Sequence, residues 1–146
     1  MNAPRVLLGA CLSAWLAGAA GAQPPALQVL DAWIRATPGG AVAAAYMTLH
    51  NAGSTPVTVT GVRSTLAHDA MIHVSKVEHG ESTMRPAGAV TVAPGASVQL
   101  APGGMHVMLM ELAHPLAVGE EVPLELQLAG GGTVAVSARV RPLKPE

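Results

Sequence analysis

From residue 27 onward, apolar residues recur with a period of two. Val122, Leu124, Leu126 and Leu128 fall on one side of a pleat, with Glu125 and Gln127 on the other. Val134, Val136, Ala138 and Val140 repeat the pattern. Such alternation predicts half-buried antiparallel strands with one wet face. No helical period follows residue 22. Instead, β-rich runs are predicted at Leu27–Arg35, Val42–Asn51, Pro56–Arg63, Asp69–Val77, Ser82–Arg85, Ala89–Val92, Ser97–Leu100, Met105–Glu111, Val122–Leu128 and Thr133–Arg141. Gly and Pro punctuate them at Thr37-Pro38-Gly39-Gly40, His79-Gly80, Pro94-Gly95, Pro102-Gly103-Gly104 and Gly130-Gly131-Gly132. Many short strands at this spacing predict an all-β fold, a single-domain antiparallel sandwich or small barrel. The triple glycine reads as a hairpin turn, since no helix follows to make a phosphate loop.

Composition narrows the function. Half the 146 residues are hydrophobic, enough for one core, and Phe is absent, so that core must be aliphatic. Charged residues are only 12% and the net charge is −1. No basic stripe exists, which argues against nucleic acid and against an anionic membrane surface.

The first 22 residues read as an export signal: Arg5, an apolar run from Val6 to Ala19, and an A-x-A site at Ala20-Gly21-Ala22. Cleavage would start the mature chain near Gln23, leaving a domain over residues 23–141 and a short tail over 142–146. It would leave no membrane insertion, and places the protein outside the cytoplasm, in the periplasm if the source is a Gram-negative cell. Leu8-Gly9-Ala10-Cys11 also resembles a lipidation site, but only about five apolar residues precede the cysteine, against roughly 7–15 for a working signal. Cys11 is the only cysteine. Its removal with the leader would leave no disulfide and no thiolate.

Four residues carry the chemistry: His73, Met84, His106 and Met108. On a strand over Met105-His106-Val107-Met108-Leu109-Met110, His106, Met108 and Met110 share one face, while Met105, Val107 and Leu109 share the other. His73 shares its face with Met71, and Ile72 and Val74 turn to the core. Met84 lies just past the His79-Gly80 turn, on a run that could lie beside the His73 strand. Thioether is soft and imidazole borderline, a mixture that suits Cu(I) and serves Mg, Ca or Mn badly. Zinc sites use Cys, His and carboxylate rather than Met. Neutral ligands leave the ion's charge uncompensated, which favours a shallow, partly exposed site. Only neutral imidazole binds metal, so affinity should fall in acid.

The spacing His73-x10-Met84-x21-His106-x-Met108 resembles the signature of the periplasmic PCu(A)C copper chaperone family. So do Asp31-Ala32-Trp33-Ile34-Arg35-Ala36, Ala45-Tyr46-Met47-Thr48-Leu49, Met84-Arg85-Pro86 and Pro102 through Met110. The similarity runs from about Leu27 to Leu128. The resemblance implies a cupredoxin-like β-barrel and one Cu(I) per chain on those four residues; a monomer is expected. It also implies delivery to the CuA centre of cytochrome c oxidase subunit II, alone or with a thiol-containing copper chaperone. Some family members carry a His- and Met-rich C-terminal extension that binds a second copper; Arg139 to Glu146 has no such ligands.

Other residues have plainer readings. Met71 and Met110 are alternative sulfurs or neighbours of the site; Met47 and Met105 are core. His50, His68, His79 and His114 fall at strand ends or turns and read as solvated. Trp33 is a packing anchor that could flank the site, and Arg85 a surface charge beside Met84. A blue-copper electron carrier needs a Cys thiolate, absent from the mature chain. No nucleophile–base pair stands out for an enzyme. Copper storage, buffering or resistance without a dedicated acceptor would use the same site as a chaperone.

Overall fold

The computed structural model describes residues 26–35, 37 and 39–142. The predicted leader over residues 1–22, Cys11 and the tail beyond Pro142 lie outside the described residues. Ten strands follow in chain order: β1 Leu27–Arg35, β2 Val42–Asn51, β3 Val57–Ser64, β4 Ala67–Glu78, β5 Glu81–Pro86, β6 Val90–Val92, β7 Ser97–Leu100, β8 Met105–Leu112, β9 Glu121–Leu128 and β10 Thr133–Arg141. Each predicted run is a strand, with ends moved by at most two residues. No helix among the described residues is long and apolar enough to cross a membrane.

The strands form one sheet in the order β5-β4-β8-β2-β1-β10-β9-β3-β6, with β7 paired to β2. One pairing departs from the expected antiparallel order: β1 runs parallel to β10, setting Ile34 opposite Val140. This pairing joins the end of the first strand, Trp33–Arg35, to the end of the last, Arg139–Arg141.

Alternation builds the core. Ala43, Ala45, Met47 and Leu49 of β2, Val107 and Leu109 of β8, Val122, Leu124 and Leu126 of β9, and Val134, Val136, Ala138 and Val140 of β10 all point inward. The core is aliphatic, as a chain without Phe requires. Met105 packs against its edge.

β1 carries the irregularity that matters for function. Its pairing with β2 shifts between Leu30 and Trp33, where one extra residue is accommodated. Asp31 takes up the strain with φ 48°. A one-residue bulge exchanges the faces of everything after it. Leu27 and Ile34 therefore both reach the core despite their odd and even positions, and Trp33 and Arg35 turn to the outer face.

Candidate metal centre

The β4–β8 ladder is held in register from the inside. Ile72 faces Val107 and Ala70 faces Leu109 across it; Ile72, Val107 and Leu109 are buried. A slip of one residue would turn all of them to solvent, so core burial fixes the pairing. The outer-face pairs follow automatically: His73 lies opposite His106, and Met71 opposite Met108. Residues directly opposite share a face with Cβ atoms about 4.5–5.5 Å apart.

The two imidazoles meet edge to face, ring centroids 6.0 Å apart at 87°. His106 is 4% exposed and, with Asn51, makes up the buried polar residues among the described residues. The two differ in how they are satisfied. The Asn51 amide donates to the carbonyls of Thr55 (2.7 Å) and Val92 (3.0 Å) and accepts from the Gly53 N–H (2.9 Å). That is how a structural buried polar group behaves. In contrast, Nε2 of His106 and Nδ1 of His73 are buried with no hydrogen-bond partner among the described residues. Nδ1 of His106 lies 3.2 Å from the Gly104 carbonyl. A carbonyl only accepts, so Nδ1 carries the proton and Nε2 of the neutral ring keeps a free lone pair. Orienting one imidazole nitrogen through a backbone carbonyl on the other is how proteins prepare a histidine ligand.

Met84 reaches the same face from β5. The β4–β5 hairpin turns on His79 and Gly80, both at positive φ (55° and 84°), the geometry a two-residue hairpin needs. Met84 then lies opposite Ser75 and Pro86 opposite His73. Met84 is 57% exposed. Met108 and Met71 are partly buried on the inner strands of this region. All four sequence-predicted ligands therefore share one face of three adjacent strands. The register brings His73, His106 and Met108 side by side, and sets Met84 beyond the histidines on the side away from Met108. Met110, two residues past Met108, faces Asp69 and Val42 instead of a histidine.

Beside His106 stands an aromatic wall that sequence reading did not assemble. Tyr46 lies 6.4 Å from the His106 ring, and Trp33 packs on Tyr46 at 4.6 Å. Arg35 covers Tyr46 at 5.6 Å and Arg141 covers Trp33 at 5.4 Å. Arg141 donates to Asp31 at 2.7 Å, tying the cation to the bulge. Tyr46 is buried although it points outward, so the stack keeps water from one side of His106. The signal available was that Trp33 and Tyr46 are the only aromatics after residue 22; their contact depends on the bulge.

The remaining histidines are where a solvated reading puts them. His50 bonds Ser97 at 2.9 Å, His68 stands 3.6 Å from Glu111, His114 stands 3.4 Å from Glu120, and His79 forms the turn. Among the described residues, no three His, Cys, Asp or Glu side chains gather as a metal cluster. A hollow of about 520 Å³ between β3 and β4 is lined by Met71 and His68 but by neither His73 nor His106. The histidine pair lies on the sheet's outer surface, outside that hollow.

What these residues fit is a soft monovalent cation. Two unpartnered imidazole nitrogens stand among thioethers, with no carboxylate at the pair to favour a hard ion.

Comparison with known proteins agrees with this chemistry. The LpqE-like family, described as a lipoprotein family, matches residues 27–140. Lxx21020 of Leifsonia xyli subsp. xyli, a lipoprotein by name, is 33% identical over 122 residues, 83% of this chain and 73% of that one. The copper-bound PCuAC domain from PmoF2 superposes with a TM-score of 0.68 at 25% identity, covering 82% of this chain and 95% of that one. Apo-DR1885 from Deinococcus radiodurans gives 0.65 at 31% identity over 99% of this chain and 97% of its own. Its Cu(I) form gives 0.62 at 35%, over 84% and 83%.

Proposed function

We infer, from the premise that this chain belongs to the LpqE-like family, that it is an exported copper(I) carrier of the PCuAC type. His73, His106, Met84 and Met108 would hold one Cu(I) per chain. The observation that carries the reading is the pair of buried, unpartnered imidazole nitrogens on facing residues, flanked by methionine sulfur. An ordinary sheet surface would place solvated polar groups there.

The geometry suits a carrier better than a resident cofactor. The ligands are neutral and the exposed Met84 opens the site at the sheet edge, so the bound ion keeps its positive charge within reach of an acceptor's thiolates. The aromatic wall and the Gly104 carbonyl hold His106, and Met84 is the most exposed of the four. Release then proceeds by replacing ligands one at a time, with no change in copper oxidation state. The acceptor in this reading is the CuA domain of cytochrome c oxidase subunit II, alone or with a thiol-containing copper chaperone.

An anaerobic titration with Cu(I) against a chromophoric chelator, read with X-ray absorption at the copper edge, tests the site. One equivalent with mixed nitrogen and sulfur scattering is expected; no binding, or oxygen-only scattering, would overturn it. Transfer to an apo CuA domain separates delivery from storage or copper resistance, the second use of the same site. Copper that stays on this protein while the apo domain remains empty would favour storage.

The family's lipoprotein description favours a tethered form, with acylation at Cys11, over a soluble one cut after Ala22. The mass of the exported protein decides between them.

A further inference from the structure

The ladder places a fifth soft donor in this site. His73 and His106 face each other, and so do Met71 and Met108. The four mark the corners of a rectangle about 5 Å across the strands and 7 Å along them. Met84 stands elsewhere on the same lattice. It is opposite Ser75, one strand beyond His73 and two residues along in the direction away from Met108. Two strand spacings and four residues of register then separate Met84 from Met108, the widest separation among the four donors. Met84 and Met108 straddle the imidazoles, whereas Met71 already stands beside Met108 and His73.

Exposure sharpens the contrast. Met84 is 57% exposed on β5, the edge strand of the sheet. Met71 is partly buried on β4, where it pairs with Met108 of β8.

We propose that Met71 is an alternative copper(I) ligand that exchanges with Met84. The proposal rests on the carrier reading above. With Met84 bound, the ion is open toward the sheet edge. When Met84 lets go, one copper–sulfur bond breaks and one to Met71 forms. Both sulfurs are neutral thioethers, so the charge stays at +1 and no electron moves. Met71 thus retains the ion within the β4–β8 ladder, and Met84 is the ligand that an incoming acceptor displaces.

The test uses the exported, purified protein, Cu(I) itself under anaerobic conditions, a competing chromophoric chelator, and sulfur counting by X-ray absorption. Met84→Leu should keep two sulfurs per copper and lose less than about tenfold in affinity, whereas Met71→Leu/Met84→Leu should keep one sulfur and lose at least a hundredfold more. Leu conserves the volume of Met, so the fold should survive, with Met71→Gln as a second variant. If Met84→Leu drops to one sulfur, or the double variant binds as the single one does, the Met71 proposal falls while the carrier reading stands. If the wild-type protein fails to bind Cu(I), both fall.

Discussion

Two antiparallel strand pairs of this sheet, β9–β10 and β4–β8, share an inside and differ on the outside. β9 and β10 present Val122, Leu124, Leu126, Val134, Val136 and Val140 to the core, and β4 and β8 present Ile72, Val107 and Leu109. Outward, β9–β10 is ordinary solvated surface. Glu121 accepts from the Ser137 hydroxyl and faces Arg139 at 3.3 Å, every outer position of β10 is exposed, and the alternation is strict. Outward, β4–β8 carries Met71, His73, His106 and Met108, partly or fully buried, with two imidazole nitrogens lacking partners. Folding asks only that the inner faces be apolar and in register, and both regions comply. The outer face of β4–β8 leaves buried polar atoms unsatisfied that β9–β10 shows could have been solvated. The difference between the two faces is therefore one that folding alone does not account for.

Breaking the shared inside should give the largest effect. Leu126→Ala removes a fully buried side chain and should cost about 2–5 kcal/mol of stability in chemical denaturation. Copper affinity of the protein that remains folded should be unchanged, since β9 does not touch the site.

Breaking only the outside of β4–β8 should reverse that pattern. His106→Leu should lower Cu(I) affinity more than about a hundredfold, beyond the 10–100-fold typical of groups that merely support a ligand. It removes a buried unpartnered nitrogen along with the Gly104 bond, so apo-protein stability should stay within about 1 kcal/mol of wild type. A variant that unfolds while binding copper normally would invert the comparison and sink it.

The smallest effect belongs to the outside of β9–β10. The Ser137 hydroxyl bond, and after it the Arg139 charge, hold the exposed Glu121 carboxyl below the usual carboxylate range. A folded-state pKa below the unfolded one contributes stability above the unfolded value, and that contribution is lost as pH falls through the folded one. Glu121→Gln should therefore flatten the acid end of the melting-temperature profile slightly, with no change in copper binding at neutral pH. A steeper acid loss in the variant would contradict the assignment.

Much of this was legible in one dimension. A period of two names the face of each residue, so the ten strands, the inward Met47 and the shared face of His106 and Met108 could be read directly. Strand boundaries moved where pairing continued past the propensity signal, as in β4, which extends from Ala67 to Glu78. Three things were not legible. The parallel β1–β10 pairing depends on which strand ends up adjacent, which periodicity does not encode. The bulge at Asp31 reverses a face in mid-strand, so Trp33 could not be assigned to the Tyr46 wall by counting. Spacing placed Met84 among the four donors and left Met71 as an alternative; only the register shows Met71 opposite Met108 and Met84 out on the edge strand.

Period-two alternation, composition and donor chemistry, all local properties of the chain, already implied an aliphatic β domain bearing soft metal ligands on its outer face. The positions of those donors relative to one another came from elsewhere. Burying Ile72 against Val107 and Leu109 beside Ala70 locks two strands that are more than thirty residues apart in sequence. That locking sets histidine opposite histidine, puts Met71 next to Met108 and leaves Met84 on the edge. Core packing made those choices because register costs nothing to change in an unpaired chain and a whole buried face to change in a folded one.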